Sequence, residues 1–357
     1  MQFITPPKII FGRGSIEELQ KEENSVIVSG ESVWKNVEKY ISKDFPVIIF
    51  RRRSRTGEPD EKDVERLTEE IRRIQPSTII AIGGGSVIDA AKTARIIYEY
   101  GLSWEDMYSG KISPLKTKFI AVETTSGTGT GVSAAAVIKN KEDFKAGIVS
   151  PYIVPDVSIY DPNLVDDMPK KVAIYTGMDA LTHAIEAYTS NVNNLISDTL
   201  ALKAIELIFK NLRKAVNGDK EAREKVHYGN MLAGIGFTNS RLGLCHSAAH
   251  WIGGRYEIEH GKINAILLPY VIKANERYTP KFENIAQVMG VEDVTLGIVE
   301  LNREFGIPSK FEFGDDLEFL SEKISTDRLM NFNPRKMSRD EVYRFLQAVE
   351  EGRLDEI

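Results

Sequence analysis

TIIAIGGGSVIDAAKTARIIYEY, residues 78–100, joins an apolar run, three consecutive glycines and a stretch with helical spacing. Thr78–Ile82 is apolar after its first residue and rich in isoleucine, which is how a strand covered on both faces reads. Gly83, Gly84 and Gly85 let the backbone approach a ligand. Ser86 then enters a helix whose free N–H groups and positive dipole end suit a diphosphate. A plain tight turn uses the same small residues, so the triplet alone leaves both readings open. It lacks the GxGxxG spacing and follows a late strand, so a simple Rossmann assignment does not apply.

Working outward, Lys8–Phe11, Ser25–Ser29, Pro46–Phe50 and Lys118–Val122 read as further buried strands. Amphipathic charged stretches such as Glu61–Arg73 lie between them, the alternation expected of a sheet built from βα units. Ser15, with Glu18 three residues on, has the pattern of a capping box opening a helix. From about Pro162 the texture changes to long helical patterns, among them Ile196–Leu212 and Glu221–Phe237. The expected fold is an α/β nucleotide-binding domain over 1–163, then an all-helical domain over 164–357.

Lys118–Val122 runs into ETTSGTGTG, residues 123–131, in which eight of nine residues are small or hydroxylated. Such a segment is too polar for a core and offers hydroxyl and amide donors to phosphate and ribose oxygens. A flexible surface loop is the plain alternative. Two loops of this kind, each after a buried strand, favour a dinucleotide cleft.

The chain has five histidines, and four fall in two segments, GMDALTHAIEAY (177–188) and LCHSAAHWIGGRYEIEHG (244–261). Asp179 and His183 are four apart and share one helical face. A second helical turn, with His246 and His250, and a following loop with His260 could complete a metal shell. Imidazole and carboxylate donors suit Fe(II) or Zn(II), and the lack of thiolates argues against a structural zinc site. A lone helical histidine is commonly a hydrogen-bonded core residue; it is the clustering that favours metal. Spacing leaves open whether His246 or His250 is the ligand. A dinucleotide beside a metal points to hydride transfer.

At 357 residues, 42% hydrophobic and 27% charged, the chain has ordinary globular composition and room for two cores. A net charge of -6 with mixed signs favours neither nucleic acid nor an anionic membrane. No apolar run approaches the roughly 20 residues that span a bilayer. MQFITPPKIIFGRGS lacks a basic region followed by an apolar core, so no export signal is expected. The single cysteine, Cys245, excludes an intrachain disulfide and fits a reducing compartment, so the cytoplasm is expected.

The segments IIFGRGSIEEL, AIGGGSVIDAAK, TTSGTGTG, IYDPNLVDDMP, TGMDALTHAIEAYTS, LCHSAAHWIGG, EHGKINAILLPYVIKAN and FNPRKMSRDEV span nearly the whole chain. Together they resemble the iron-containing (group III) alcohol dehydrogenases, a family sharing its fold with dehydroquinate synthase and glycerol dehydrogenase. The resemblance implies metal ligation by Asp179, His183, His246 and His260, with Fe(II) preferred to Zn(II). His250 matches a non-ligand histidine beside nicotinamide and substrate, a candidate for the proton path. Gly84, Gly85 and Ser86 match the diphosphate loop, and Thr124, Thr125 and Thr128 the second nucleotide loop. Lys145 and Leu164 match cofactor contacts, and Phe237 and Leu242 match substrate-cavity lining. A homodimer is a further family expectation.

Two departures bear on the site. Relatives commonly carry GTGSE where this chain has Gly127-Thr128-Gly129-Thr130-Gly131, so a carboxylate is missing at Gly131. Trp251 stands where a small residue or proline is usual, either narrowing the pocket or packing on the helical core. The cofactor expectation rests on Gly30, where relatives preferring NAD carry an aspartate for the ribose 2′-hydroxyl. Its absence makes room for a 2′-phosphate, so NADP(H) is slightly preferred to NAD(H). Glu31 offers an acidic substitute, and Arg51, Arg52 and Arg53 are either phosphate ligands or a solvated charge run.

The reaction expected is reversible oxidation of a small alcohol to an aldehyde or ketone, the ion acting as Lewis acid on the substrate oxygen. The competing readings are a zinc polyol dehydrogenase, a dehydroquinate-synthase-like lyase and a non-catalytic nucleotide or metal sensor.

Overall fold

The apolar runs of the first 160 residues do become strands. In the computed structural model, which describes residues 2–53, 58–141 and 144–357, these are β1 (Lys8–Phe11), β2 (Ser25–Ser29), β3 (Val47–Ile49), β4 (Thr78–Gly83) and β5 (Lys118–Glu123). Three more follow: β6 (Ala135–Lys139), β7 (Lys145–Val149) and β8 (Val157–Tyr160). Six strands form one parallel sheet in the order β1-β8-β5-β4-β2-β3, and β6 and β7 make a separate antiparallel hairpin. Side chains alternate across the sheet, as a period of two demands. Val26, Val28, Ile79, Ala81 and Phe119 join one core layer, while Ile27, Ile80, Ile82, Ile120 and Val122 join the other.

Helices α1 (Glu31–Val37), α2 (Glu61–Ile74), α3 (Gly85–Tyr100) and α4 (Trp104–Tyr108) connect these strands. A reciprocal box between Asp60 and Asp63 starts α2, and Val64, Leu67 and Ile71 form its buried stripe. After Tyr160 no described residue is in a strand. The rest is helical: α5 (Lys170–Thr189), α6 (Leu195–Val216), α7 (Lys220–Ser240), α8 (Leu244–Tyr256), α9 (His260–Asn275), α10 (Lys281–Met289), α11 (Val294–Glu304), α12 (Leu317–Ser325) and α13 (Arg339–Glu351). Among the described residues no helix is long and apolar enough to cross a membrane.

Three expectations need correction. Pro46–Phe50 shrinks to Val47–Ile49, whereas β4 and β5 each gain a residue because Gly83 pairs with Glu123. The hairpin β6–β7 and strand β8 were not foreseen. Ser15 does not cap a helix: Ser15–Lys21 is a 3-10 segment, and the Ser15 hydroxyl has no hydrogen-bond partner. Asp161 does that work from the end of β8, accepting from the N–H groups of Gly14 and Ile16 at 3.1 Å each. A side chain with two oxygens reaching two free N–H groups outcompetes one hydroxyl.

Candidate metal and dinucleotide site

Helix α5 is buried almost continuously from Gly177 to Thr189, so a carboxylate and an imidazole on it must find polar partners inside the protein. Asp179 and His183 share one face, and α8 and α9 bring His246 and His260 against it. Asp179 Oδ1 lies 3.6 Å from Nε2 of His246 and 3.6 Å from Nε2 of His260. One ligand atom from each of these three residues falls within 4.8 Å of the other two. His183 joins at the edge: its ring stacks on His246 at 4.2 Å, and its Nδ1 is 3.9 Å from Asp179 Oδ1. His260 is not on a loop, as spacing suggested; it is the first residue of α9.

The rings are oriented from behind. Glu186 contacts His246 Nδ1 at 2.6 Å, which assigns the proton to that nitrogen and leaves the Nε2 lone pair for the site. The same carboxylate accepts from the Cys245 N–H at 2.7 Å and the His246 N–H at 3.3 Å, fixing the start of α8. His183 Nδ1 faces the Gly127 carbonyl at 3.2 Å, which likewise leaves its Nε2 as the lone-pair nitrogen. Helix α9 can approach α5 only because residue 261 is glycine: a Cβ there would sit 2.0 Å from the Tyr175 carbonyl oxygen.

Electrostatics ready the donors. Burial alone would raise the Asp179 carboxyl, but His183, His260 and His246 outweigh it and hold the group well below the usual carboxylate range. Burial pushes His183 down to about 4 and His260 far below its ordinary value. His246 goes the other way, up to about 9, because hydrogen bonds with Asp179 and Glu186 overcome its burial. A divalent ion takes an ionised carboxylate and neutral imidazoles, so Asp179, His183 and His260 are ready as they stand, whereas His246 would give up its Nε2 proton when the ion binds. Asn264 Nδ2 touches the three convergent atoms, at 2.8 Å from Asp179 Oδ1, 3.1 Å from His260 Nε2 and 3.4 Å from His246 Nε2. Asp179 Oδ1 and His260 Nε2 already take both hydrogens of that amide, so once His246 gives up its Nε2 proton its lone pair has no donor left and a cation fits.

His250 stands one helical turn beyond His246, its ring stacked on His260 at 5.3 Å. It faces the same cleft, which has a volume of about 1790 Å³ and runs from the histidines to the carboxyl ends of β2, β4 and β5. That exceeds the roughly 300–1,000 Å³ of an ordinary small-molecule pocket and suits a dinucleotide with its substrate. Gly30, Gly84, Gly85, Ser86, Thr124, Thr125, Thr128, Lys145, Leu164, Phe237 and Leu242 all line it. The two glycine loops interlock: a Cβ on Gly84 would lie 2.9 Å from Thr125 Cγ2, and one on Gly85 2.5 Å from Thr128 Cγ2. The buried Thr124 hydroxyl has no partner within the protein, as a ligand-binding oxygen would. Lys145 is buried and paired with Glu58 at 2.6 Å.

The space a side chain at residue 131 would need is taken by another carboxyl group. Buried Glu123 accepts from the Gly131 N–H at 3.0 Å and from the Thr125 hydroxyl at 3.1 Å, and its Oε2 lies 3.0 Å from where a Cβ of residue 131 would be. Burial pushes its carboxyl up to about 8. Beneath the same loop His227, the fifth histidine, meets the Ser126 hydroxyl at 3.1 Å and lies outside the metal cluster. The loop also rests on the helical half, where a Cβ on Gly127 would be 2.7 Å from Thr176 Cβ and one on Gly129 2.7 Å from Gly234 Cα. Trp251 meets both readings offered for it. It lines the cleft, stacks on Phe144 at 4.0 Å and donates from Nε1 to Asp327 at 3.1 Å.

Glu186 and Asn264 escaped the sequence reading, although a signal existed. Glu186 follows His183 by three residues and Asn264 follows His260 by four, placing each on the helical face of that histidine. Glu123 had no such signal, because its role depends on a glycine eight residues away.

Residues 6–162 match the family described as iron-containing alcohol dehydrogenase, and residues 173–349 match the Fe-containing alcohol dehydrogenase family, C-terminal. The chain is 37% identical to the NADPH-dependent butanol dehydrogenase of Clostridium saccharobutylicum, over 99% of this chain and 98% of that one. It is 32% identical to the NAD-dependent methanol dehydrogenase of Bacillus methanolicus, over 97% and 98%. The iron-containing alcohol dehydrogenase of Thermococcus thioreducens superposes with a TM-score of 0.90 at 33% identity, covering 98% of this chain and 100% of that one. Matched along almost its whole length, the chain belongs to the iron-containing alcohol dehydrogenase family.

Proposed function

We propose that the chain is a metal-dependent NAD(P)(H) alcohol dehydrogenase or aldehyde reductase in which Asp179, His183, His246 and His260 hold the ion and His250 handles the proton. The convergence of Asp179, His246 and His260 at the end of a dinucleotide-sized cleft carries this reading. When bound, a divalent ion supplies Lewis acidity toward the substrate oxygen, and the nicotinamide supplies or accepts hydride. Glu186 and Asn264 hold the ligand side chains in place, while Gly84, Gly85, Ser86, Thr124, Thr125 and Thr128 cradle the cofactor, with Lys145 and Leu164 beside it. His250, in contact with His260 but outside the convergent set, moves the proton between site and solvent. The end of the last strand at Tyr160 supports dividing the chain into 1–163 and 164–357.

NADP(H) is proposed over NAD(H). Gly30 puts no carboxylate at the end of β2, and a Cβ there would meet nothing within 4 Å. Glu31, the acidic substitute, is tied to Lys35 at 3.2 Å and Arg51 at 3.3 Å. Arg52 Nη1 donates to the Ser86 hydroxyl at 2.7 Å, placing a guanidinium beside the diphosphate loop. Arg53 instead pairs with Asp60. Fe(II) is preferred to Zn(II), a homodimer is the proposed assembly, and the cytoplasm the proposed compartment.

The test is anaerobic. Metal-stripped protein is reconstituted with Fe(II) or Zn(II) and assayed against alcohols and aldehydes with both cofactors. Metal-dependent turnover with NADPH favoured is expected. Activity indifferent to metal removal refutes the site, and a larger kcat/KM with NADH refutes the cofactor preference.

A further inference from the structure

Arg241 ends α7 in a backbone conformation that suits glycine: φ is +70° and ψ 179°, in a region that side chains strain to occupy. Its chain neighbours place it in the substrate end of the cleft. Its N–H donates to the Phe237 carbonyl at 2.7 Å, and Phe237 stacks on His183 at 4.7 Å. Among the described residues the half-buried guanidinium has one hydrogen bond, to the Thr238 carbonyl at 3.2 Å. Arg328 opens a short 3-10 turn packed on α8 and lines the same cleft. Among the described residues neither guanidinium lies within ion-pairing distance of a carboxylate. Asp327 is next in sequence to Arg328 and feels its charge, but the hydrogen bonds of its oxygens come from Trp251 Nε1 and the Leu329 N–H. Glu259, on the cleft wall, is taken by Lys171 at 2.5 Å.

Burial and the like charge of Arg328 both work against the Arg241 cation. Half-buried Arg241 and exposed Arg328 thus present two positive charges to one cleft of a net-acidic protein, a setting that suits a bound anion. Around them Phe237, Leu242, Leu329 and Phe332 give the same wall an apolar part. The pattern is that of a short aliphatic stem with an anionic end.

We infer that Arg241 and Arg328 form an anion subsite, and that the substrates of this chain are alcohols and aldehydes carrying a terminal carboxylate or similar acid group. This rests on the oxidoreductase reading above and narrows its substrate class. In the reducing direction the aldehyde carbon gains hydride from NAD(P)H and its oxygen gains a proton, giving the hydroxy acid and NAD(P)+. The anionic end is unchanged and serves only as the handle.

The test compares 4-oxobutanoate with butanal, which share a chain length and differ in the carboxylate, using metal-loaded enzyme and NADPH. Matched sulfonate and phosphonate aldehydes identify which acid group is favoured. The expected kcat/KM is at least tenfold higher for 4-oxobutanoate, mostly through KM. Arg241→Met brings the ratio of the two substrates to near one, and Arg241→Lys restores part of it. A structural role would lower both substrates together and leave the ratio unchanged. Binding of 4-hydroxybutyrate and 1-butanol, followed by calorimetry on the same proteins, separates the two claims. If neither aldehyde is reduced but 4-hydroxybutyrate binds through Arg241, the subsite stands and the oxidoreductase reading falls. If butanal is reduced as well as 4-oxobutanoate, or Arg241→Met alters only the KM for NADPH, the subsite is overturned.

Discussion

Glu186 lies 2.6 Å from Nδ1 of His246, and the side chains of both residues are buried. Glu186→Gln keeps the shape but loses the charge that holds the Nδ1 proton and makes Nε2 a better donor. Metal affinity should fall about 10–100-fold, the usual effect of removing such a partner. Competition against a chromophoric chelator reads this directly, and unchanged affinity would confine Glu186 to fixing the start of α8.

Glu123 makes a separate prediction about pH. Its folded pKa is raised to about 8 by burial, against an ordinary 4.5 when unfolded. Between those values the native state keeps a proton that the unfolded chain has released. The stability from this group is therefore complete below about 4.5 and is lost as pH rises through about 8. The slope is at most about 1.4 kcal/mol per pH unit for one proton. Glu123→Gln removes the titration, so its stability relative to wild type should improve steadily from pH 5 to pH 8. Denaturant midpoints across that range give the answer; parallel curves would mean Glu123 is ionised in the fold.

Gly261 tests the seating of α9. Gly261→Ala sets a methyl 2.0 Å from the Tyr175 carbonyl, so one helix must move. A loss of about 2–3 kcal/mol is expected, with weakened metal binding because His260 is the adjacent residue. Gly147→Ala is the control: its Cβ meets nothing within 4 Å, and its midpoint should stay within about 0.5 kcal/mol of wild type.

Gly30→Asp restores a carboxylate at the end of β2, where it would face the 2′ position of the cofactor ribose. The ratio of kcat/KM for NADPH to that for NADH should fall at least tenfold. An unchanged ratio would move cofactor discrimination away from this position.

Much of this architecture was legible because it rests on periodic, local signals. Isoleucine-rich runs such as Thr78–Ile82 are strands wherever they are covered on both faces, and the glycine loops follow them directly. The hairpin β6–β7 escaped because AAVIK and KAGIV are short, rich in small residues and only partly buried, so they carry little strand pattern. Asp161 as a cap for residues 14–16, and Glu123 as the partner of Gly131, are long-range or cross-turn substitutions that no local pattern encodes. The convergence of Asp179 with the histidines was legible as a cluster because histidine is rare here; Glu186 and Asn264 carried only the weaker signal of helical spacing, which a surface residue shares.

The seam where Gly127 meets Thr176 and Gly129 meets Gly234 leaves no space for even a methyl group, and the Gly127 carbonyl also faces His183. The opposite rim is joined by lighter contacts, with Phe144 stacked on Trp251 and Lys139 4.0 Å from Glu257. A rocking of one half against the other would meet less resistance at the aromatic rim than at this seam. The histidines thus sit beside the tightly packed side of the cleft, away from its aromatic rim.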